Sequence, residues 1–286
     1  MTEATLYDDT PCQLGEGPLW HPERKEFFWF DINECRLYRK TGGKRDMWQF
    51  DDYVSAAGWI DRDHLMIAYE NALLHFNIET GTHEKICDLE ADNPVTRPND
   101  GRADPWGGFW IGSMGKQMEA GAGSIYRYYR GEVRKMYSPW TIPNAMCFTP
   151  DRRHAYLADT PRGIVWRQAL SEKDGWPEGD PVEFLNLPAS EYRPDGAVVD
   201  AEGNLWCAHF GHAKVTCHTP EGREIRSIPI PARQATCPSF TGEDLQTVLV
   251  TTAAKNLPAD TDDVQAGMTF SFDAGVTGQK EHQVIL

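Results

Sequence analysis

The chain has 286 residues, and its 43 acidic and 28 basic side chains give a formal net charge of −15. A protein this acidic repels a phosphate backbone, so we expect no nucleic-acid partner. Hydrophobic residues make up 40% of the chain, which indicates a globular protein. No apolar run approaches the ~18 residues that cross a bilayer, so we expect no membrane partner either.

The segment MTEATLYDDT contains neither a basic region nor an apolar stretch, so we expect no signal peptide. Seven cysteines, an odd number without close paired spacing, favour free thiols over a disulfide framework. Both observations predict a cytoplasmic protein.

A short apolar segment recurs along the chain every 40 to 51 residues. In chain order the segments start at Glu16 (EGPLWH), Ala56 (AAGWID), Asn99 (NDGRAD), Asn144 (NAMCFT), Asp195 (DGAVVD) and Thr236 (TCPSFT). A repeat of this length is typical of proteins built from one recurring supersecondary unit.

Each start is followed by a polar turn and a second apolar segment. The second segments are 26–32, 64–70, 108–114, 154–160, 204–210 and 247–253. A third segment with alternating polarity follows: CRLYRK, ALLHFNI, GSIYRYYR, GIVWRQAL, AKVTCHT and GMTFSF. A weaker fourth, such as DMWQF or KICDL, follows in several units. Turns rich in Asp, Pro and Gly between such segments indicate β-hairpins.

Four antiparallel strands per unit, repeated six times, predict an all-β fold, a six-bladed β-propeller that forms a single domain over residues 1–286. The alternative is a pair of β-sandwiches whose segments are evenly spaced by coincidence. This alternative is disfavoured because all six units agree in three elements. Either the N-terminal segment ATLYDD or the C-terminal segment EHQVIL is expected to complete the last blade.

The first strand of each propeller blade lines the central channel, so the six starts form a ring at one end of it. Four of them, Glu16, Asn99, Asn144 and Asp195, carry carboxylate or carboxamide oxygens. Carboxylates gathered in a channel are costly unless a cation neutralises them, and hard cations prefer oxygen ligands. The ring therefore predicts a divalent metal site.

The second strand runs antiparallel to the first, so its C-terminal end returns to the same mouth. The residues placed there are Asp31, Glu70, Ser113, Asp159 and His209. We expect them to orient ligands or substrate, except that Asp31 and Asp159 are better explained as acceptors for turn amides. Ser113 is better explained as a structural residue than as a nucleophile, because no base is paired with it. His209 and the nearby His212 are rim candidates, with solvated loop histidines as the commoner alternative.

Four motifs in order along the chain resemble the regucalcin/gluconolactonase family. They are LGEGPLW at 14–20, RPNDGRADPWGGFWIGSM at 97–114, IPNAM at 142–146 and RPDGAVVDAEGNLW at 193–206. The resemblance implies a six-bladed propeller, in agreement with the repeat count. It also implies a metal-dependent enzyme that opens a sugar lactone.

The resemblance further implies a set of site residues. Glu16, Asn144 and Asp195 would bind one divalent metal ion, which is Ca²⁺, Zn²⁺, Mg²⁺, Mn²⁺ or Fe²⁺. Asp195 would also act as the general base. Arg97 and Asn99 would contact the substrate, and Gln117 stands where some members carry an acidic substrate contact.

These residues suit hydrolysis of a small-molecule lactone, such as gluconolactone, to its aldonic acid. The metal would act as a Lewis acid on the carbonyl while Asp195 takes the proton of the attacking water. The alternatives are another propeller hydrolase, acting on aryl esters or organophosphates, and a non-catalytic metal-binding propeller. The sugar and the oligomeric state stay open.

Overall fold

The structure is a computed structural model that describes residues 3–188, 191–258 and 262–286. Its strands form six sheets of four antiparallel strands each. The innermost strands contact one another in a closed ring, so the sheets are the blades of a six-bladed β-propeller. The fold predicted from the repeat is confirmed.

The first strand, β1 (Thr5–Asp8), belongs to the last blade, and the next twelve strands form three consecutive blades. The first blade comprises β2 (Gly15–His21), β3 (Glu26–Asp31), β4 (Arg36–Thr41) and β5 (Lys44–Gln49). The second comprises β6 (Val54–Asp61), β7 (His64–Tyr69), β8 (Ala72–Asn77) and β9 (His83–Asp88). The third comprises β10 (Thr96–Ala103), β11 (Phe109–Gly115), β12 (Gly123–Tyr129) and β13 (Glu132–Trp140).

The remaining strands form the other three blades in the same order from the channel outward. The fourth comprises β14 (Pro143–Phe148), β15 (His154–Asp159), β16 (Ile164–Ala169) and β17 (Val182–Asn186). The fifth comprises β18 (Pro194–Val199), β19 (Leu205–His209), β20 (Lys214–His218) and β21 (Glu224–Pro229). The sixth comprises β22 (Gln234–Thr241), β23 (Thr247–Ala253), β24 (Thr269–Asp273) and β1.

The described residues contain no α-helix, only a single 3-10 turn over Thr160–Arg162. Correspondingly, no helix in this part of the chain is long and apolar enough to span a bilayer. All seven cysteines are free thiols, as their spacing predicts.

Two of the predicted turns are closed by a buried aspartate. Asp104 Oδ1 accepts hydrogen bonds from two turn amides at 2.8 and 3.0 Å, and its Oδ2 accepts one from Trp110 Nε1 at 3.0 Å. Asp200 closes the equivalent turn of the fifth blade and accepts from Trp206 Nε1 at 2.9 Å. Each carboxylate therefore fixes a turn and orients an indole in the core.

The N-terminal strand closes the ring of blades. In β1, Thr5 pairs with Ser271 and Leu6 with Phe270 of β24. Of the two closures expected from the sequence, the N-terminal one is confirmed. The last blade thus combines strands from both ends of the described chain, which ties the first and sixth blades together.

The C-terminal segment instead crosses the far end of the channel, where the inner strands end. Gln279 Nε2 donates to the carbonyl oxygens of Phe148 and Val199, both at 2.9 Å, and so bridges the fourth and fifth blades. Gln283 Nε2 donates to the carbonyl oxygen of Ile60 in the second blade at 2.6 Å. The segment is therefore a cross-brace between blades.

An ion pair anchors this brace inside the channel. Glu281 of the C-terminal segment pairs with Arg102 of β10, and the two side chains are only 8% and 12% exposed. Trp59 Nε1 donates to the Glu281 carbonyl oxygen at 3.0 Å, which fixes the same residue through its backbone. Removing one partner of a buried pair leaves an uncompensated charge.

We therefore expect Glu281→Ala to lower the free energy of unfolding by about 3–5 kcal/mol, measured by urea denaturation. The double variant Arg102→Met with Glu281→Met removes both charges and should recover most of that loss. A Glu281→Ala protein as stable as the parent would contradict a bracing role for the pair.

Candidate active site

A cavity of about 560 Å³ opens at the end of the channel where the inner strands begin. Glu16, Asn99, Asn144 and Asp195 all line it, although each comes from a different blade. Their exposed fractions are 6%, 7%, 1% and 6%. The structure thus brings the four oxygen-bearing ring residues into one buried site, together with Arg97.

The other two ring residues serve the wall of the channel. Ala56 is fully buried and does not line the cavity. Thr236 Oγ1 donates to the Gly15 carbonyl oxygen at 2.6 Å and so holds the residue that precedes Glu16. One arc of the ring therefore lines the cavity, and the other supports the wall of the channel.

A register irregularity lies at the ring position in all six blades. In the first blade it falls between Glu16 and Leu19, and in the fourth between Asn144 and Cys147. Such a bulge leaves residues out of the ladder and changes the direction of their side chains. The irregularity includes the ring residue itself in four blades and begins directly after Glu16 and Asn144 in the other two.

Residues in the left-handed region follow directly after two of the predicted ligands. Gly17 has φ 54°, and a Cβ there would collide with the carbonyl oxygen of Ser55. Ala145 has φ 58°, a conformation that is strained for a residue other than glycine. The tight backbone after Glu16 and Asn144 fixes where their side chains leave the strand.

A chain of hydrogen bonds links three blades across the site. Asn99 Nδ2 donates to Asn144 Oδ1 at 2.9 Å and to the Pro143 carbonyl oxygen at 3.1 Å. Asn144 Nδ2 donates to Thr160 Oγ1 at 2.7 Å, and Thr160 in turn donates to the Pro194 carbonyl oxygen at 2.7 Å. The network fixes Asn144 relative to the strand that carries Asp195.

Asp31 and Asp159 anchor the loops that lead into the strands of two predicted ligands, Glu16 and Asn144. Asp31 accepts from the backbone amides of residues 13 and 14 at 2.7 and 3.0 Å, just before Glu16. Asp159 accepts from the amides of residues 141 and 142 at 3.2 and 2.9 Å, just before Asn144. The interpretation of both carboxylates as acceptors for turn amides is confirmed.

The remaining candidates at the second-strand ends lie outside the cavity lining. Glu70 pairs with Lys116 at 2.6 Å, and Ser113 Oγ accepts from the Ser124 amide at 3.1 Å. His209 is fully buried, with its Nε2 2.7 Å from a threonine hydroxyl in β20. Burial lowers the pKa of His209 to about 3, so its ring is neutral at physiological pH.

Two further sequence candidates also lie outside the lining. Gln117 is exposed, whereas its neighbours Met118 and Ala120 line the cavity. His212 is partly exposed and is absent from the lining as well. A role for Gln117 in binding substrate therefore stays a prediction that requires its side chain to reach inward.

The cavity contains residues that the sequence did not single out: Thr160, Arg193, Phe210, Gln234 and Lys255. Thr160 and Phe210 come directly after β15 and β19, and Lys255 follows β23 by two residues. The rule that second strands return to the mouth would have found these last three residues if it had been extended past each strand end, whereas Arg193 and Gln234 lie at the start of inner strands.

The two carboxylates of the cavity are electrostatically strained. The pKa of Asp195 is raised well above its usual value by burial, by Glu16 and by Asp100. The pKa of Glu16 is also raised, by burial and by the charge of Asp100. Arg97 opposes both effects, but its own pKa is lowered to about 10 by burial.

The donor set fits a divalent cation. Two buried carboxylates and the amide oxygen of Asn144 line the cavity, and a cation among them would relieve the repulsion between Glu16 and Asp195. Within the described ranges, no three His, Cys, Asp or Glu side chains come together to form a metal site. The candidate metal site therefore consists of the two carboxylates and the Asn144 amide oxygen, rather than of cysteine or histidine ligands.

Comparison with known proteins gives consistent matches. The family described as SMP-30/Gluconolactonase/LRE-like region matches residues 14–254. A curated relative from Rhizobium meliloti, assigned by name to the sugar lactone lactonases, is 35% identical over 96% of this chain and 94% of its own length. A 6-deoxy-6-sulfogluconolactonase from Pseudomonas putida is 30% identical over 95% and 94% of the two chains.

A solved structure matches over nearly its whole length. The crystal structure of regucalcin from Agrobacterium tumefaciens, described as a calcium-binding protein, superposes with a TM-score of 0.96. It is 35% identical in sequence, and the match covers 100% of this chain and 98% of that one.

Because the charge of Glu16 is disfavoured in the cavity, we expect Glu16→Gln to change thermal stability in two ways. Without metal, the variant should unfold at the same or a higher temperature than the parent, because the substitution removes a disfavoured buried charge. With metal, the parent should gain about 2.7 kcal/mol at a hundredfold excess over Kd, and the variant much less.

The measurement is thermal unfolding of metal-stripped protein titrated separately with Ca²⁺, Mn²⁺ and Zn²⁺. Glu172→Gln, which alters an exposed carboxylate, is the matched control and should respond like the parent. An equal metal-dependent shift in Glu16→Gln would remove Glu16 from the ligand set.

Proposed function

The chain belongs to the SMP-30/gluconolactonase/LRE-like family, and from that premise we propose that it is a metal-dependent lactonase that opens a sugar lactone to its aldonic acid. Curated relatives that cover nearly the whole chain are named as lactonases. The observation that carries the proposal is the convergence of Glu16, Asn144 and Asp195 in one cavity that also contains Arg97 and Asn99.

In this proposal Glu16, Asn144 and Asp195 hold the metal ion. When bound, the ion supplies Lewis acidity toward the carbonyl oxygen of the lactone. All three side chains line the cavity in which the substrate would bind. The hydrogen bond from Asn99 to Asn144 Oδ1 keeps that oxygen in position.

Asp195 is the proposed general base. Its carboxylate takes a proton from the water that attacks the lactone carbonyl carbon. As the bond from that carbon to the ring oxygen breaks, the same carboxyl group returns the proton to the departing oxygen. The products are a free hydroxyl and a carboxylic acid on one open chain, so water is the only other reactant consumed.

Arg97 and Asn99 have distinct proposed roles. Arg97 Nη1 donates to the Pro98 carbonyl oxygen at 2.7 Å and to Asn99 Oδ1 at 3.1 Å, which leaves other guanidinium N–H groups for substrate oxygens. Both N–H bonds of the Asn99 amide are already donated within the protein. Asn99 therefore orients Arg97 and Asn144, and a substrate hydroxyl can reach it only as a donor to Oδ1.

A pH-indicator assay on a panel of aldonolactones, including gluconolactone, tests the activity. Metal-stripped protein should be inactive, and restoring a divalent cation should recover turnover. Aryl esters and organophosphates serve as control substrates and should be turned over more slowly. Metal binding without turnover on any lactone would contradict the proposal.

Asp195→Asn should lower kcat by roughly 10²–10⁴, the contribution of a positioned general base. The amide keeps an oxygen for the metal, so kinetics at saturating metal separate the loss of the base from the loss of metal occupancy. Asp180→Asn, at an exposed position, is the control. Full turnover by Asp195→Asn would exclude Asp195 as the base.

A further inference from the structure

The cavity carries more positive charge than the proposed reaction uses. Arg97, Arg193 and Lys255 line it, against the two carboxylates Glu16 and Asp195. The whole chain has a net charge of −15, so the cavity opposes the charge of the molecule around it. A bound divalent cation would neutralise the two carboxylates and leave all three basic side chains uncompensated.

None of these three cations has an ion-pair partner among the described residues. Other basic side chains do: Arg24 lies 2.7 Å from Glu26, and Lys116 lies 2.6 Å from Glu70. The lack of an ion pair is informative for Lys255, because no described carboxylate oxygen, including those of Asp195, comes within 4.0 Å of its Nζ. Lys255 therefore makes no ion pair with Asp195, although the two charges attract each other across the cavity.

Lys255 is held in place by its backbone rather than by its charge. Its carbonyl oxygen accepts a hydrogen bond from Gln234 Nε2 at 3.1 Å, and Gln234 belongs to the inner strand β22. Burial and the nearby charge of Arg97 lower the pKa of Lys255. Two cations that repel each other at a cavity wall stabilise an anion placed between them.

Arg193 extends this positive surface toward the mouth. It precedes Asp195 by two residues and is exposed, while Asp195 is buried. Two residues of extended chain span roughly 6–7 Å. Because Arg193 is exposed and Lys255 is partly exposed, a group bound by both lies nearer to solvent than one held at the buried Asp195.

Resting on the proposed lactonase function, we propose that the substrate is a lactone with an acidic substituent far from its carbonyl, and that Lys255 and Arg193 bind that substituent. The shared chemistry is a carboxylate, sulfonate or phosphate on a sugar ring. Charge-assisted hydrogen bonds to such a group discriminate strongly against a neutral lactone, which would leave the cations unpaired.

The experiment compares gluconolactone with the same ring carrying a carboxylate, a sulfonate or a phosphate at carbon 6. We expect kcat/KM to be at least about tenfold higher for one of the acidic lactones. Lys255→Met should lower the ratio of kcat/KM for acidic over neutral lactone by roughly 10- to 100-fold. Lys173→Met removes an exposed charge of the same kind and should leave this ratio unchanged.

Equal kcat/KM for neutral and acidic lactones would overturn the inference while leaving the lactonase proposal intact. An equal loss on both substrates in Lys255→Met would also overturn it, since Lys255 would then act on the common chemistry. If no lactone is turned over, the lactonase proposal fails. The inference is then tested by measuring ligand binding with calorimetry. The parent must then bind the open-chain dicarboxylate more tightly than gluconate, with the difference lost in Lys255→Met.

Discussion

The site depends on electrostatic repulsion between buried carboxylates at the mouth of the channel. Glu16 and Asp195 are placed close together and away from water, with Asp100 adding a third buried negative charge nearby. Isolated side chains would separate or become neutral. Here they cannot separate, because each is fixed to the inner strand of a different blade in a closed ring.

The propeller tolerates this strain because its two channel ends are built differently. At the mouth, bulges and left-handed residues such as Gly17 and Ala145 aim polar side chains inward. At the far end, the C-terminal segment crosses the channel and joins blades through backbone acceptors and the Arg102–Glu281 pair. The repelling carboxylates therefore lie at the mouth, and the contacts at the far end hold together the blades that carry them.

Charge is also arranged at two scales. The molecule as a whole is strongly negative, which favours solubility and repels anions at long range. Inside the cavity, the three basic side chains Arg97, Arg193 and Lys255 outnumber the carboxylates Glu16 and Asp195, and low dielectric strengthens their effect at close range. An anionic ligand is therefore selected by close contact in the cavity rather than by attraction to the surface.

The sequence by itself determined the blade count, the ring residues and the closure options, because alternation and turn chemistry are local properties repeated six times. Glu16, Asn144 and Asp195 occupy equivalent positions of that repeat, so the sequence alone aligns them. Only the tertiary structure decided that Gln117 lies outside the cavity lining, that Lys255 lies inside it and that the C-terminal segment braces the far end. The physical reason is that these side chains lie beyond the strand ends, where position depends on packing between distant blades.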